Sequence, residues 1–168
     1  EYLVAHGTPP DDVQRALIDE TRALGGVAGM QIAPEQGAFM GLLARLVRPT
    51  FAVEVGTFTG YSAICMARGL APGGRLLCCD VSEEWTAVAR RYWERAGVAS
   101  SIDLRLAPAL ETLRALPPEP SVDLAFVDAD QSEDTDVLGE RTLDGAQERT
   151  ADHERIAALR PTAGDWVA

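Results

Sequence analysis

The chain has 168 residues, 46% of them hydrophobic, and a formal net charge of −11. That length accommodates one domain with a core of its own. The uniform negative charge excludes nucleic acid and anionic membrane surfaces as natural partners, and no apolar run is long enough to span a bilayer.

Taken in chain order, residues 9–24 read as a helix opened by P-P-D-D. Val13, Leu17 and Leu24 mark its apolar face, and Gly25 and Gly26 stop it. A loop over 30–37 leads into a second helix that reaches Val47, with Phe39, Met40, Leu42, Leu43, Leu46 and Val47 as its apolar faces. Residues 51–55 form the first predicted strand and 61–70 a helix. Residues 75–79 form the second strand, closed by Asp80. A helix over 83–96 follows, with Ser82 as N-cap and Gly97 as stop. Residues 102–106 are the third strand, 108–116 a helix and 122–127 the fourth strand. Beyond Asp130 the chain turns polar and acidic. A weak helical pattern covers 136–152, and 156–159 and 166–168 are candidate short strands.

Strand and helix alternate strictly up to Asp130. This predicts an α/β fold, a doubly wound and mostly parallel sheet with helices on both faces. Cys65, Cys78 and Cys79 have apolar neighbours and no metal-ligand spacing. They read as buried reduced thiols of a cytoplasmic protein without a signal peptide.

The residues that can carry chemistry fall at predicted strand ends, where open α/β sheets collect their ligands. The stretch E-V-G-T-F-T-G-Y-S at 54–62 follows the first strand and opens a helix. Its two glycines allow close backbone approach, but the spacing is not that of a dinucleotide loop. The acid Glu54 does not suit a pyrophosphate; it suits a ligand with positive charge. Asp80 ends the second strand, where an acid accepts hydrogen bonds from ribose hydroxyls. Asp128 ends the fourth strand, with Asp130 two residues on. A strand-end acid seen alone is most often solvated. A nucleoside without phosphates but with a cation fits the paired glycines, Glu54 and Asp80 together, and S-adenosylmethionine is such a molecule. A nicotinamide-dependent oxidoreductase is disfavoured by the glycine spacing and by Glu54.

Six motifs occur in order: M-Q-I-A-P-E-Q-G (30–37), E-V-G-T-F-T-G-Y-S (54–62), C-D-V-S (79–82), R-A-G-V (95–98), A-P-A-L-E (107–111) and F-V-D-A-D (126–130). With them, the chain resembles the cation-dependent class I O-methyltransferases, the family of caffeoyl-CoA and catechol O-methyltransferases, over residues 17–130. The resemblance implies a Rossmann-like class I methyltransferase domain over 1–168. Residues 1–48 would shape the acceptor side, 51–130 would form the cofactor core and 132–168 the C-terminal part. It implies transfer of a methyl group from S-adenosylmethionine to a hydroxyl of a phenolic, catechol-like small molecule, with Mg²⁺ or another divalent cation, in a homodimer. Met30 and Ile32 would line the methionine side, Glu54 and Gly56 the floor of the loop. Ser62 would bind the methionine carboxylate, Asp80 the ribose, and Val81 and Ala109 the adenine. Asp128 would be both a metal ligand and a neighbour of the methionine ammonium, and so the catalytic residue.

The pattern breaks after Asp130. The family has a Lys there, regarded as the general base, and this chain has Gln131. The family's next helix, turn and strand, ending in an Asp-Asn pair that completes the metal site, have no counterpart. Residues 133–165 nonetheless resemble the family's end. The simplest account is that roughly 40 residues of the pattern are absent near Gln131, about one helix-plus-strand unit. Omission of a segment is favoured over loss from the gene, since a missing central strand leaves an edge the fold tolerates poorly. A contiguous chain would favour the alternative, a catalytically impaired S-adenosylmethionine-binding protein with a regulatory or vestigial role. His6 and His153 read as surface residues. Trp85 and Trp93 read as packing.

Overall fold

Among the described residues, four short parallel strands carry the architecture. The computed structural model describes residues 7–117 and 121–128. Every described residue belongs to one compact unit, Glu1–Asp128. Strands β1 (Phe51–Val55), β2 (Arg75–Asp80), β3 (Ile102–Leu106) and β4 (Leu124–Val127) form one sheet in the order β3-β2-β1-β4. All three pairings are parallel, as the strict alternation of strand and helix requires. The chain steps outward from β1 to β2 to β3, then returns to the other side of β1. The carboxyl ends of β1 and β4 therefore flank the point where the strand order reverses, where α/β sheets bind ligands.

The register sorts the side chains onto two faces. Ala52, Leu76 and Ile102 align on one face, followed by Glu54, Cys78 and Leu104, with Phe126 beside Glu54. Helices α1 (Asp12–Arg22), α2 (Pro34–Val47), α3 (Tyr61–Ala67) and α4 (Glu83–Arg95) supply the residues that share a core with that face. Among them are Leu17, Met40, Ile64, Met66, Val88, Tyr92 and Trp93. Helix α5 (Ala109–Arg114) lies over the opposite face. Beside it is a cleft of about 580 Å³, lined by Phe51, Leu77, Asp103 and Arg105 of the sheet and by Glu111 and Thr112 of the helix. Helices on both faces match the doubly wound expectation.

Local chemistry sets the element ends. The Asp11 carboxylate accepts the Gln14 amide at 2.8 Å, and the Gln14 side chain accepts the Asp11 amide at 3.1 Å. This reciprocal cap starts α1 at Asp12 rather than at Pro9. After α1 the glycine-rich stretch Gly25–Met30 winds into a 3-10 helix where a plain stop was expected. Gly25, at φ +75°, breaks the α-helix and the chain tightens into the shorter repeat. Helix α2 begins at Pro34, with the proline in its first turn. Sequence expectations over 136–152, 156–159 and 166–168, and at His6, Asp130 and His153, lie outside the described residues.

The packing of α2 corrects the sequence reading. The buried stripe is Gly37, Met40, Gly41 and Ala44, while Phe39 is 56% and Leu46 71% exposed. The reason is close approach of α2 and α3. A Cβ on Gly37 would stand 2.5 Å from Tyr61 Cε1, and one on Gly69, just past α3, would stand 2.4 Å from Ala44 Cβ. Small residues make that crossing; Met40 and Leu43 still reach the core, while Phe39, Leu42, Leu46 and Val47 face away from it. Gly69→Ala is therefore expected to cost about 1–3 kcal/mol through overpacking, and Leu46→Ala about 0.5 kcal/mol or less. Thermal unfolding of the two variants checks this; a larger loss from Leu46→Ala would place the buried face elsewhere.

Candidate cofactor-binding site

The site is built on the loop 56–60 between β1 and α3. Gly56 and Gly60 have φ of +87° and +82°. Gly60 starts α3 in the left-handed conformation, and a Cβ there would meet Trp93 Nε1 at 2.6 Å and Ala89 Cβ at 2.7 Å. Phe58 is also left-handed, at φ +50°, a conformation that costs a non-glycine residue roughly 1 kcal/mol or more. It persists because its surroundings hold it. The Asp80 Oδ2 atom accepts the amides of Thr57 at 2.9 Å and Phe58 at 2.7 Å, and Oδ1 accepts the Ser82 amide at 2.8 Å. The Phe58 ring meets Trp85 edge-on, with centroids 5.1 Å apart.

Further bonds tie down the rest of the loop. The Gly56 amide donates to Cys79 O at 3.0 Å, and the Gly60 amide to Thr57 O at 2.9 Å. The Trp93 indole N–H donates to Gly60 O at 3.2 Å. Asp80 thus builds the loop as well as facing it. A carboxylate has about four acceptor positions, and the loop and Ser82 use three.

Glu54 lies beneath this loop, fully buried. The Cys78 thiol donates to its Oε2 at 3.3 Å. Its Oε1, and the hydroxyl oxygen of buried Thr57, have no hydrogen-bond partner among the described residues. Burial raises the Glu54 pKa from 4.5 to about 7. The Ser62 hydroxyl, the Cys78 thiol and the Thr57 hydroxyl favour the charged form and limit the rise, and the Asp80 charge adds to it. These groups influence the carboxyl without closing a hydrogen bond on Oε1. A buried acceptor left unpaired costs about 1–3 kcal/mol, so Oε1 and the Thr57 hydroxyl fit a ligand that brings donors or positive charge.

Of the other residues singled out from sequence, Ser62, Val81 and Asp128 follow the ends of β1, β2 and β4, Ala109 opens α5, and Met30 and Ile32 lie between α1 and α2. Ser62 is buried in the first turn of α3. Asp128 follows β4, exposed, and its amide donates to Val55 O at 2.9 Å, which joins it to β1 across the reversal point. Val81 is exposed in the turn after Asp80, and Ala109 is the first residue of α5. Ile32 is buried and Met30, at the end of the 3-10 helix, is 39% exposed. Between them the Gln31 Oε1 is another buried acceptor with no partner among the described residues.

The structure thus brings Glu54, Gly56, Ser62 and Asp80 together around one loop and sets Asp128 beside β1. Among the described residues no three His, Cys, Asp or Glu side chains converge as a metal-binding group. Asp128 offers one hard oxygen donor, and Asp130 lies outside the described residues.

The sequence reading missed Thr57, Phe58, Gln31 and the second role of Trp93. Thr57 and Phe58 lie inside the quoted motif, but the glycines drew the attention; nothing in a Phe signals a left-handed backbone. Trp85 and Trp93 do pack, as expected, and both pack against this loop.

The pH response of Glu54 follows from its folded pKa lying above the unfolded value. Between about pH 4.5 and 7 the folded chain keeps a proton that the unfolded chain has released. This contribution to stability is complete below pH 4.5 and is lost as pH rises through about 7. Asp11, Glu20 and Asp123 have lowered pKa values and act below that window. Glu54→Gln is expected to flatten the fall in stability of the ligand-free chain between pH 5 and 8, by roughly 3 kcal/mol. Urea unfolding at each pH measures it; equal slopes in both proteins would remove the buried ionisation.

Comparison with known proteins agrees with this geometry. The O-methyltransferase family model matches residues 9–144. The chain is 34% identical to a probable caffeoyl-CoA O-methyltransferase 2 of Dictyostelium discoideum, over 78% of this chain and 58% of the relative. It is 37% identical to a catechol O-methyltransferase of Niastella koreensis, over 69% of this chain and 54% of the relative. The fold matches a Bacillus cereus O-methyltransferase in complex with SAH, with TM-score 0.71, 28% identity and coverage of 82% of this chain and 63% of that one. The chain thus spans less than two thirds of the length of these relatives. The ordered motifs, the parallel sheet and the match across most of its residues establish that the chain belongs to the O-methyltransferase family.

Proposed function

We propose that the chain binds S-adenosylmethionine at the loop 56–60 and transfers its methyl group to one hydroxyl of a catechol-like pair, with a divalent cation. The observation that carries this reading is the fully buried Glu54 with an unpaired Oε1, beside the unpaired Thr57 hydroxyl. A ligand without hydrogen-bond donors leaves those acceptors unsatisfied. A ligand that carries an ammonium, a sulfonium and ribose hydroxyls supplies donors and positive charge.

Each residue has a role on this reading. Asp80 keeps one acceptor position for a ribose hydroxyl. Val81 and Ala109 flank the adenine, and Met30 and Ile32 the methionine side chain. Ser62 binds the methionine carboxylate, and Glu54 and Gly56 form the floor. Asp128 faces the ammonium and is the one described ligand for Mg²⁺, which takes oxygen donors and retains water. When bound, the cation lowers the pKa of a phenol from near 10 and orients the hydroxyl pair. The acceptor hydroxyl would lose its proton to solvent, and the resulting oxyanion would attack the methyl carbon in line with the departing sulfur. The new C–O bond forms as the C–S bond breaks, and the electron pair stays on sulfur, leaving a thioether. Holding the two centres in line is the protein's main contribution.

The oligomer we assign is a homodimer, supported by the exposed apolar residues Phe39, Leu42 and Leu46 on α2. A cytoplasmic setting is supported by three free, buried thiols. Among the described residues no helix is long and apolar enough to cross a membrane.

The test is methyl transfer to catechol with and without a chelator. Product is expected with Mg²⁺, lost on chelation and restored by excess metal, and Asp128→Ala is expected to lower turnover on the order of 100-fold. Unchanged turnover in that variant would remove the role given to Asp128. Cofactor binding without turnover would favour a non-catalytic binding protein, the reading that Gln131 in place of the family's Lys supports.

A further inference from the structure

Each residue of the loop 56–60 has an anchor, and one anchor differs in origin from the rest. Gly56 is held by Cys79, Thr57 and Phe58 by Asp80, and Gly60 by Trp93. Those partners all come from β2 or α4, later in the chain than the loop. Thr59 is held from the other side. The hydroxyl of Thr21, in the last turn of α1, donates to the Thr59 hydroxyl at 2.9 Å. Both residues are buried, at 1% and 0% exposure.

We propose that this Thr21–Thr59 pair is a positioning contact, through which α1 sets the conformation of the cofactor loop. The proposal rests on the reading of that loop as the S-adenosylmethionine site. Two observations give it weight. First, α1 is fixed independently of the pair. The Tyr92 hydroxyl donates to Glu20 Oε2 at 2.8 Å and to Ala16 O at 3.1 Å, and Arg91 pairs with Glu20 at 2.6 Å. Thr21 is therefore presented to the loop from a helix already bolted to α4. Second, α1 runs directly into the Gly25–Met30 turn, followed by Gln31, with its unpaired buried oxygen, and by Ile32. One helix thus positions Thr59 on the cofactor side and begins the segment that lines the methionine side.

Thr21→Val keeps the shape of the side chain and removes the hydroxyl, leaving that of Thr59 buried without its partner. Thr21→Ser retains the bond. Tyr92→Phe is the control, since it loosens α1 on α4 without touching the loop. The readouts are amide hydrogen exchange over residues 57–60 of the ligand-free chain and the Kd for S-adenosylmethionine. Thr21→Val is expected to speed exchange at these amides and raise Kd, each about tenfold, and Thr21→Ser to stay within about twofold of the parent. Tyr92→Phe is expected to lower the melting temperature while shifting both readouts less than Thr21→Val does, because the Arg91–Glu20 pair still holds α1 on α4. Parent-like exchange in Thr21→Val would overturn the proposal, as would an equal change in Tyr92→Phe. If the parent chain itself does not bind S-adenosylmethionine, the functional reading fails, and the exchange arm alone decides the coupling.

Discussion

The structure around the site depends on one carboxylate. Asp80 ends β2 and turns its side chain back across the end of β1 to accept the amides of Thr57 and Phe58. Those two amides belong to an irregular loop, where no strand or helix would satisfy them. Without the acid they would be buried and unpaired, and Phe58 would have little reason to hold a left-handed backbone. With it, the loop is fixed between Gly56 and Gly60, the start of α3 is fixed after it, and Glu54 is closed off from water below. The aromatic pair of Phe58 and Trp85 and the Trp93 bond to Gly60 reinforce an arrangement the carboxylate already determines.

That arrangement explains why a buried acid is tolerated. Glu54 on the packed face of β1 stands among Cys78, Leu104 and Phe126, where its charged form is costly. Its pKa near 7 is the direct consequence. Such a group stabilises nothing in the ligand-free chain at neutral pH. It gains a physical rationale when a cation or several donors arrive through the loop above, beside the point where the order of the described strands reverses. Family membership and this electrostatic reading rest on separate observations and point to the same ligand class.

Much of the fold was legible in the sequence. Short apolar runs alternating with helical patterns gave the parallel sheet, because parallel strands need crossover connections, usually helices. The acids at strand ends and the paired glycines pointed to the loop that carries the candidate site. The facing of α2 was not legible. Its large apolar residues promised a buried face, but the crossing with α3 selects Gly37, Gly41 and Ala44, and close approach is a property of two helices rather than of one. Nor was the 3-10 turn legible after Gly25, where a stop and a tighter helix look alike. Within the site, Glu54 and Asp80 were visible as residue types, but the use of Asp80 to build the loop was not. Long-range pairs such as Thr21 with Thr59 and Trp93 with Gly60 leave no local signal.

The central claim is that Glu54 is the buried countercharge beneath the cofactor. Calorimetric titration of S-adenosylmethionine at pH 7, repeated in buffers of different ionisation enthalpy, tests it most directly. A cationic ligand over Glu54 lowers its pKa, so binding should release about half a proton, and Glu54→Gln should abolish that release. Binding with no proton release, or with the same release from Glu54→Gln, would contradict the account.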